Sequence, residues 1–468
     1  MQRTESAIRG ARWYLESGSP IPAELAPIAA REANRRGLYH RATAYSSTQN
    51  TAATPLETQH QRSHALIQIG DTDGLAELLR TIDPAAVPSH ELMAFTRWAI
   101  RMIPAEDRPA FRERAIGPEA RPVAEQNQRA AAVDLAELLL LALNESGDQH
   151  VRRVRALLFS GSLSPVDSAM AHTVLACLLR HAARTSEAVH AAAISLEMLQ
   201  SPDILASAPE LDPARETLFM SLLGEHDLDG AERVLGQYQA EGARYGRPGR
   251  LGPAMSGALE FHRGRPQHGI VSLHLLLEEQ PDRDVLHTRG WVQALAAQAL
   301  VGLGRADEAE QLLASSELDA LPGMRQFDLE RRLTQAYVHD SLADPDRALE
   351  ILTDVADEAH AHGLTLVELD ARGMIVLIDG PSRAPQLVGA VDDLVAPSGM
   401  PAMWKKFAPL AASYDFAGLI ELIDELVAEG QTNSASRFAQ FTLDSGRRAT
   451  DLTAAERERL DLLAHPPT

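Results

Sequence analysis

The stretch Gly304-Arg-Ala-Asp-Glu-Ala309-Glu-Gln-Leu312-Leu313 reads as a turn, a helix start and an apolar stripe in ten residues. Ala343-Asp-Pro-Asp-Arg-Ala348-Leu-Glu-Ile351-Leu352 and Gly70-Asp-Thr-Asp-Gly-Leu75-Ala-Glu-Leu78-Leu79 repeat the same grammar. Glycine at the turn tolerates the left-handed conformation that ends one helix, and the acidic residue after it suits the positive N-terminus of the next. Alanine or glycine five positions on lets the two helices approach closely. Taking that fifth position as an anchor gives Ala42, Leu75, Ala110, Arg152, Ala188, Ala231, Gly269, Ala309, Ala348, Ala384 and Leu419. The copies from Ala231 to Ala348 are the most regular, whereas Ala105/Ala110, Gly147/Arg152 and Ala183/Ala188 are placed partly by keeping the rhythm. The mean spacing is about 38 residues, which marks a stacked solenoid of helix–turn–helix units.

The 468 residues would ordinarily make two to four domains, but in a solenoid each repeat packs on its neighbours and one continuous array suffices. Aromatic residues make up 4% of the chain and hydrophobic ones 45%, so the core is expected to be rich in alanine, leucine and valine. Strand signals are scarce; Met374-Ile-Val-Leu-Ile378 continues the helical run from Thr365 to Arg372. The fold class expected is therefore all-α, a right-handed superhelical solenoid of about eleven helical hairpins. Residues 1–36 read as N-terminal capping helices, 37–446 as the array, and 447–468 as a tail with a short capping helix. Within the array, 417–430 reads as an acidic amphipathic helix with Leu419, Ile420, Ile423 and Leu426 inward, and Phe438 and Phe441 lie on a further helix.

A net charge of −21 and a pI near 5.2 disfavour a broad grip on nucleic acid or anionic lipid. Of the basic residues only Lys405 and Lys406 are lysines, so ion pairs between helices should be mostly arginine to carboxylate. Cys177 is alone, which excludes an internal disulfide and any multi-cysteine metal site. No signal-peptide core or membrane-length apolar run is visible, and a cytoplasmic location is expected.

The run from Arg347 to Leu352, continuing to Ala359-His-Ala-His-Gly363, resembles the tetratricopeptide-like repeats of LuxR-type transcription regulators, and most strongly their ATP-dependent, maltose-activator-like branch in actinobacteria. The segment from Glu24 to Thr43 is similar to the stretch C-terminal to the ATPase module in that family. Leu452-Thr-Ala-Ala-Glu456-Arg-Glu-Arg-Leu460-Asp-Leu-Leu-Ala464 resembles the first helix of the LuxR-type DNA-binding domain; Thr453 with Glu456 also makes a capping box, so a final capping helix is the other reading. The resemblance implies a TPR-like array acting as the sensor of such a regulator, without the ATPase module and without a complete DNA-binding domain. No glycine precedes either lysine, so the phosphate-cradling loop is absent and ATP hydrolysis is not expected. Sequence-specific DNA binding by this chain alone is not expected either.

No residue set points to catalysis. His360-Ala-His362 has helical neighbours pointing apart, and His90-Glu91 lacks the second histidine of a zinc motif, with Ala94 in its place. Ser168, Ser256 and Ser272 lack a nucleophile-elbow context, and Asp392-Asp393 reads as solvated surface. No metal or cofactor is expected. Arg244, Arg247 and Arg250 form the densest cationic patch, in a loop, and Lys405-Lys406 beside Trp404 and Phe407 suggest a minor base-stacking possibility. In stacked hairpins the first helices line the concave surface. That places Trp291, Gln298, Glu330, Tyr337 and Asp340 on one ligand or partner groove, for a protein, peptide or small-molecule inducer. The expected function is a non-catalytic sensor or protein-interaction solenoid derived from a LuxR-type regulator; the alternative is a stand-alone scaffold or peptide-binding repeat protein unrelated to transcription.

Overall fold

The computed structural model describes residues 2–47, 55–117, 121–204, 208–244, 252–279, 289–318, 324–446 and 452–465. Arg247 and Arg250 of the cationic loop lie outside these residues, as does the side chain of Arg244. Among the described residues every regular element is helical and there is no strand. After α1 (Gln2–Glu16) the helices follow two by two along the chain: α2 (Ala26–Arg35) with α3 (Tyr39–Ser47), α4 (Leu56–Ile69) with α5 (Thr72–Thr81), and α6 (Leu92–Met102) with α7 (Arg108–Ile116), both of which pack on the helix that follows them. Next come α8 (Val123–Ala142) with α9 (Asp148–Phe159), α10 (Pro165–His181) with α11 (Thr185–Gln200), and α12 (Ala208–Gly224) with α13 (Leu228–Arg244). The later pairs are α14 (Gly252–His262) with α15 (Ile270–Glu279), α16 (Arg289–Gly302) with α17 (Ala306–Leu318), and α18 (Arg325–Ser341) with α19 (Pro345–Ala361). The last are α20 (Thr365–Asp379) with α21 (Ala384–Asp392), α22 (Gly399–Ser413) with α23 (Phe416–Ala428), and α24 (Thr432–Gly446) with α25 (Ala454–Ala464). First helices pack on one another in series from α6 to α22, as in a solenoid. The hairpins from α2/α3 to α22/α23 correspond one to one with the eleven anchors, and α2 packs on α3 and α4 as the first helix of its hairpin.

The anchor has a physical definition. In the regular copies it is the fourth residue of the second helix, whose N–H donates the first intrahelical bond to the carbonyl of the residue capping that helix: Ala309 to Arg305, Ala348 to Asp344, Ala231 to Asp227, Leu419 to Asp415. There it faces the partner helix and is buried in every regular copy. The residue five positions earlier closes the preceding helix in the left-handed region, at Gly304 as expected, but also at Ala183, His226, Ala343 and Tyr414. The next N–H then reaches back to the carbonyl of the preceding helix, Arg305 to Leu300 at 2.9 Å and Asp344 to His339 at 2.9 Å. Aspartates cap several second helices: Asp71 accepts from the Gly74 N–H at 2.8 Å and Asp227 from Gly230 at 2.7 Å. A Cβ on either glycine would lie within 3 Å of the capping carboxylate.

Four anchors stand elsewhere: Gly269 lies just before α15 and Ala384 is the first residue of α21, both buried, and the other two need correction. Ala110 and Arg152 are exposed, and Phe111 and Val151 occupy the buried position instead. Helices α7 and α9 start at Arg108 and Asp148, so their fourth residues fall where the helix start dictates and not where a small residue happens to stand. The α6/α7 hairpin is the irregular one. The loop that leads into it and the end of α7 are fastened together by Arg129 of α8, fully buried, whose guanidinium donates to the carbonyls of Pro84, Val87 and Ala115.

The spiral also closes on itself. The Ser146 N–H, after α8, donates to the His362 carbonyl at 2.9 Å, and Gly363 (φ +67°) approaches so near that a Cβ would sit 2.4 Å from the Ser146 oxygen. The Gln326 N–H donates to the Leu143 carbonyl at 3.1 Å. A second seam joins the α12/α13 turn to the start of α22, where Glu225 accepts from Thr185 Oγ1 and Ser398 Oγ. Hairpins separated by well over a hundred residues are thereby brought around one axis.

Several sequence readings meet the structure directly. Met374 to Ile378 lies inside α20, and Phe438 and Phe441 are buried on α24. Trp404 and Phe407 are buried too, Phe407 stacking on Phe438 at 4.4 Å, so the base-stacking possibility is withdrawn: the rings pack the core. Lys405 donates to the Leu394 carbonyl and Lys406 pairs with Glu425.

Candidate functional site

Because the first helices lie innermost and the spiral is closed by the two seams, α10, α12, α14, α16, α18, α20 and α22 converge on one cavity. Its space is about 70 Å³, and it is partly open to solvent. On α18 the stripe Glu330, Leu333/Thr334, Tyr337 follows helical spacing and faces inward. Trp291 and Leu295 do the same from α16, Leu366, Val367 and Asp370 from α20, Phe261 and His262 from α14, and Arg180 from α10.

Of the five residues expected on the groove, Trp291, Glu330 and Tyr337 line this cavity together. Gln298 is buried further along α16 and Asp340 lies beyond the next turn of α18, 3.7 Å from Arg437 of α24. The stripe direction is the expected one, but the cavity spans only about two helical turns of it. Arg180, Asp370 and Phe261 were missed by the sequence reading. A signal existed: each charge interrupts an apolar run, in Leu178-Leu-Arg180 and in Leu366-Val-Glu-Leu-Asp370.

The polar lining is asymmetric. Arg180 is buried; its Nη1 lies 3.4 Å from Glu330 Oε1, a long contact, and its Nη2 has no hydrogen-bond partner. The Tyr337 hydroxyl donates to Asp370 Oδ2 at 3.2 Å. Burial, reinforced by the neighbouring Glu330 charge, pushes the Asp370 carboxyl up to about 7, against the hydrogen bonds and Arg437 that favour its charge. Burial likewise holds the Tyr337 phenol well above its ordinary value, with Asp370 adding to it. Arg437 lies over the outer face of the Tyr337 ring at 4.4 Å, a cation–π contact that fixes the ring from behind. Burial pushes His262 down to about 4, so it lines the wall as a neutral ring.

Cys177 and His181, one turn apart on α10, put Sγ 3.5 Å from Nε2. Both are buried: the thiol is pushed up to about 11 and the imidazole down to about 3 by desolvation. A thiol raised this far carries almost no thiolate at neutral pH, so the pair is not an activated nucleophile. Among the described residues no group of three histidine, cysteine or carboxylate side chains is placed to hold a metal. His360 pairs with Glu368 at 3.1 Å and not with His362. No helix of the described residues is long and apolar enough to cross a membrane.

The fold and this site define a helical-repeat protein with an axial cavity. No family model matches the chain, and no curated protein does. Among solved structures, the crystal structure of Rap protein complexed with Competence and Sporulation Factor aligns with 87% of this chain and 96% of its own, at 11% identity and a TM-score of 0.38. So distant a likeness transfers no residue and no ligand to this chain.

Proposed function

We propose that the chain is a non-catalytic sensor and interaction solenoid, which takes up a ligand or a partner segment at the axial cavity and transmits its occupancy through the stacked hairpins. The observation that carries this is the convergence of seven first helices on one cavity lined by Trp291, Glu330, Tyr337, Arg180 and Asp370. A group bound there touches helices from α10 to α22 and changes the packing between them; a site on a single hairpin has no such leverage. Transcription control is the output we assign, on the resemblance of residues 347–363 and 452–464 to LuxR-type regulators. The helix α25 itself forms with the Thr453/Glu456 capping box and buries Leu460 in the core that it shares with α24, which supports a capping role for it in this chain.

The test is capture of partners on immobilised native protein beside the Trp291→Ala/Tyr337→Ala double variant, with helicity of both verified by circular dichroism. A partner identified on the native chain and lost on the variant is the expected result; retention with unchanged affinity removes the cavity from the function. Incubation with ATP and magnesium should release phosphate at the buffer rate.

A further inference from the structure

Six first helices, α12, α14, α16, α18, α20 and α22, follow one another around the axial cavity, each packed on the next. The ring they make is closed where the end of α12 meets the start of α22, and two residues of that joint, Gly224 and Met400, line the cavity itself. This joint differs from the others in what holds it. Consecutive hairpins share apolar packing, as in the buried cluster that runs from Val87 to Phe327. At the joint Glu225 Oε2 accepts from Thr185 Oγ1 at 2.5 Å and from Ser398 Oγ at 2.8 Å, and Gln431 Nε2 donates to the His226 carbonyl at 3.0 Å. The buried apolar cluster of α20 to α25 takes one residue, Ala183, from the far side. Parting an apolar interface forfeits its burial, whereas hydrogen bonds between polar groups are exchanged for bonds to water at small net cost. The joint therefore parts before the hairpins do.

Size makes that difference matter. The space inside is about 70 Å³, and a closed cavity that holds a benzene ring measures about 150 Å³. A ligand or a partner's side chain of that size enters only if a wall moves. We propose that the Glu225/Ser398 joint is the gate of the axial cavity: the arrangement described is its closed state, and uptake parts the α12/α13 turn from the start of α22 while the hairpins stay folded. The inference rests on reading this cavity as the ligand site. Gly399 (φ +56°) sets how tightly the gate shuts, since a Cβ there would lie 2.4 Å from the Gly224 carbonyl oxygen and hold the two backbones apart. The other seam has no such position, because neither Ser146 nor Gly363 is among the residues that line the cavity.

Thr334 lines the cavity and is buried, so a cysteine placed there reports the opening. In the full chain carrying Thr334→Cys and Cys177→Ala, iodoacetamide should alkylate that cysteine at least tenfold faster once Ser398→Ala or Gly399→Ala is added. Adding Gly363→Ala at the other seam should leave the rate within about twofold. The faster rate should not depend on urea at low concentration, as befits an opening that exposes little surface. A rate unchanged in both joint variants, raised equally by Gly363→Ala, or climbing steeply with urea overturns the gate. The second arm locks the joint: Thr185 Oγ1 and Ser398 Oγ lie 3.2 Å apart, and Thr185→Cys/Ser398→Cys can be oxidised and reduced in one sample. A partner captured by the native chain and by the reduced variant should be lost on the oxidised one. If the oxidised form keeps a partner that Trp291→Ala/Tyr337→Ala loses, the cavity reading stands and the gate falls. If that partner is indifferent to the double variant, the cavity reading falls and the gate with it.

Discussion

At the scale of the residue, the repeat is governed by the fourth position of each second helix. Ala309 and Ala348 occupy it with no exposed surface, against α16 and α18. Ala309→Leu or Ala348→Leu adds three carbons where the helices already touch and should cost about 1–3 kcal/mol, read as a lower urea midpoint. An unchanged midpoint in both would show that the position does not set the spacing. Phe111, Val151 and Leu75 hold the same position with larger side chains. Small size is therefore a property of the tightest hairpins, while burial at the fourth position is the general rule.

At the scale of the element, Arg129 shows how an irregular hairpin is held. Three carbonyls, two from the loop between α5 and α6 and one from the end of α7, depend on one guanidinium that has no exposed surface. In Arg129→Met the chain keeps the bulk and leaves those carbonyls without a donor, at a cost on the order of 3–5 kcal/mol. Hydrogen exchange should show the loss concentrated between the short turn Pro84–Ala86 and α7; uniform loss along the whole chain would contradict a local fastening. The rhythm of the repeat puts the anchor of this hairpin at Ala110, one residue short of the buried Phe111, because the start of α7 at Arg108 and not the position of a small residue decides the register.

At the scale of the molecule, burial of charge makes stability depend on pH in a definite way. Asp212, Glu216 and Asp370 are each held up to about 7 and Asp167 to about 6, with burial the largest cause. Such a carboxyl binds its proton more tightly folded than unfolded, so its stabilising contribution is full at low pH and is lost as pH rises through the folded value. Buried histidines oppose this: His64 and His181 are pushed down to about 3, His226 and His262 to about 4. Their contribution is present above the unfolded value and is lost as pH falls below it, near 6.5. Stability should therefore rise as pH falls from 8 to about 6.5 and level off below, where the two sets cancel. Urea midpoints across that range check it, and Asp370→Asn should flatten the upper slope. A midpoint that climbs above pH 7 would show the carboxyls to be charged and satisfied.

The sequence by itself determined the helical class and the eleven hairpins, because their causes are local. A left-handed turn residue, a capping aspartate and a buried fourth residue all act within about ten positions, where chain order is spatial order. The spacing of the inner stripe was legible for the same reason, and of the residues on it Trp291, Glu330 and Tyr337 line the cavity. The cavity was decided only by the tertiary structure. Arg180 and Asp370 stand 190 residues apart, and what brings them together is the closure of the spiral at Ser146/Gly363 and Glu225/Ser398, contacts between backbone and small polar groups that have no periodicity to read. The same closure excluded Gln298 and Asp340, because it fixes how far along each inner helix the open space extends.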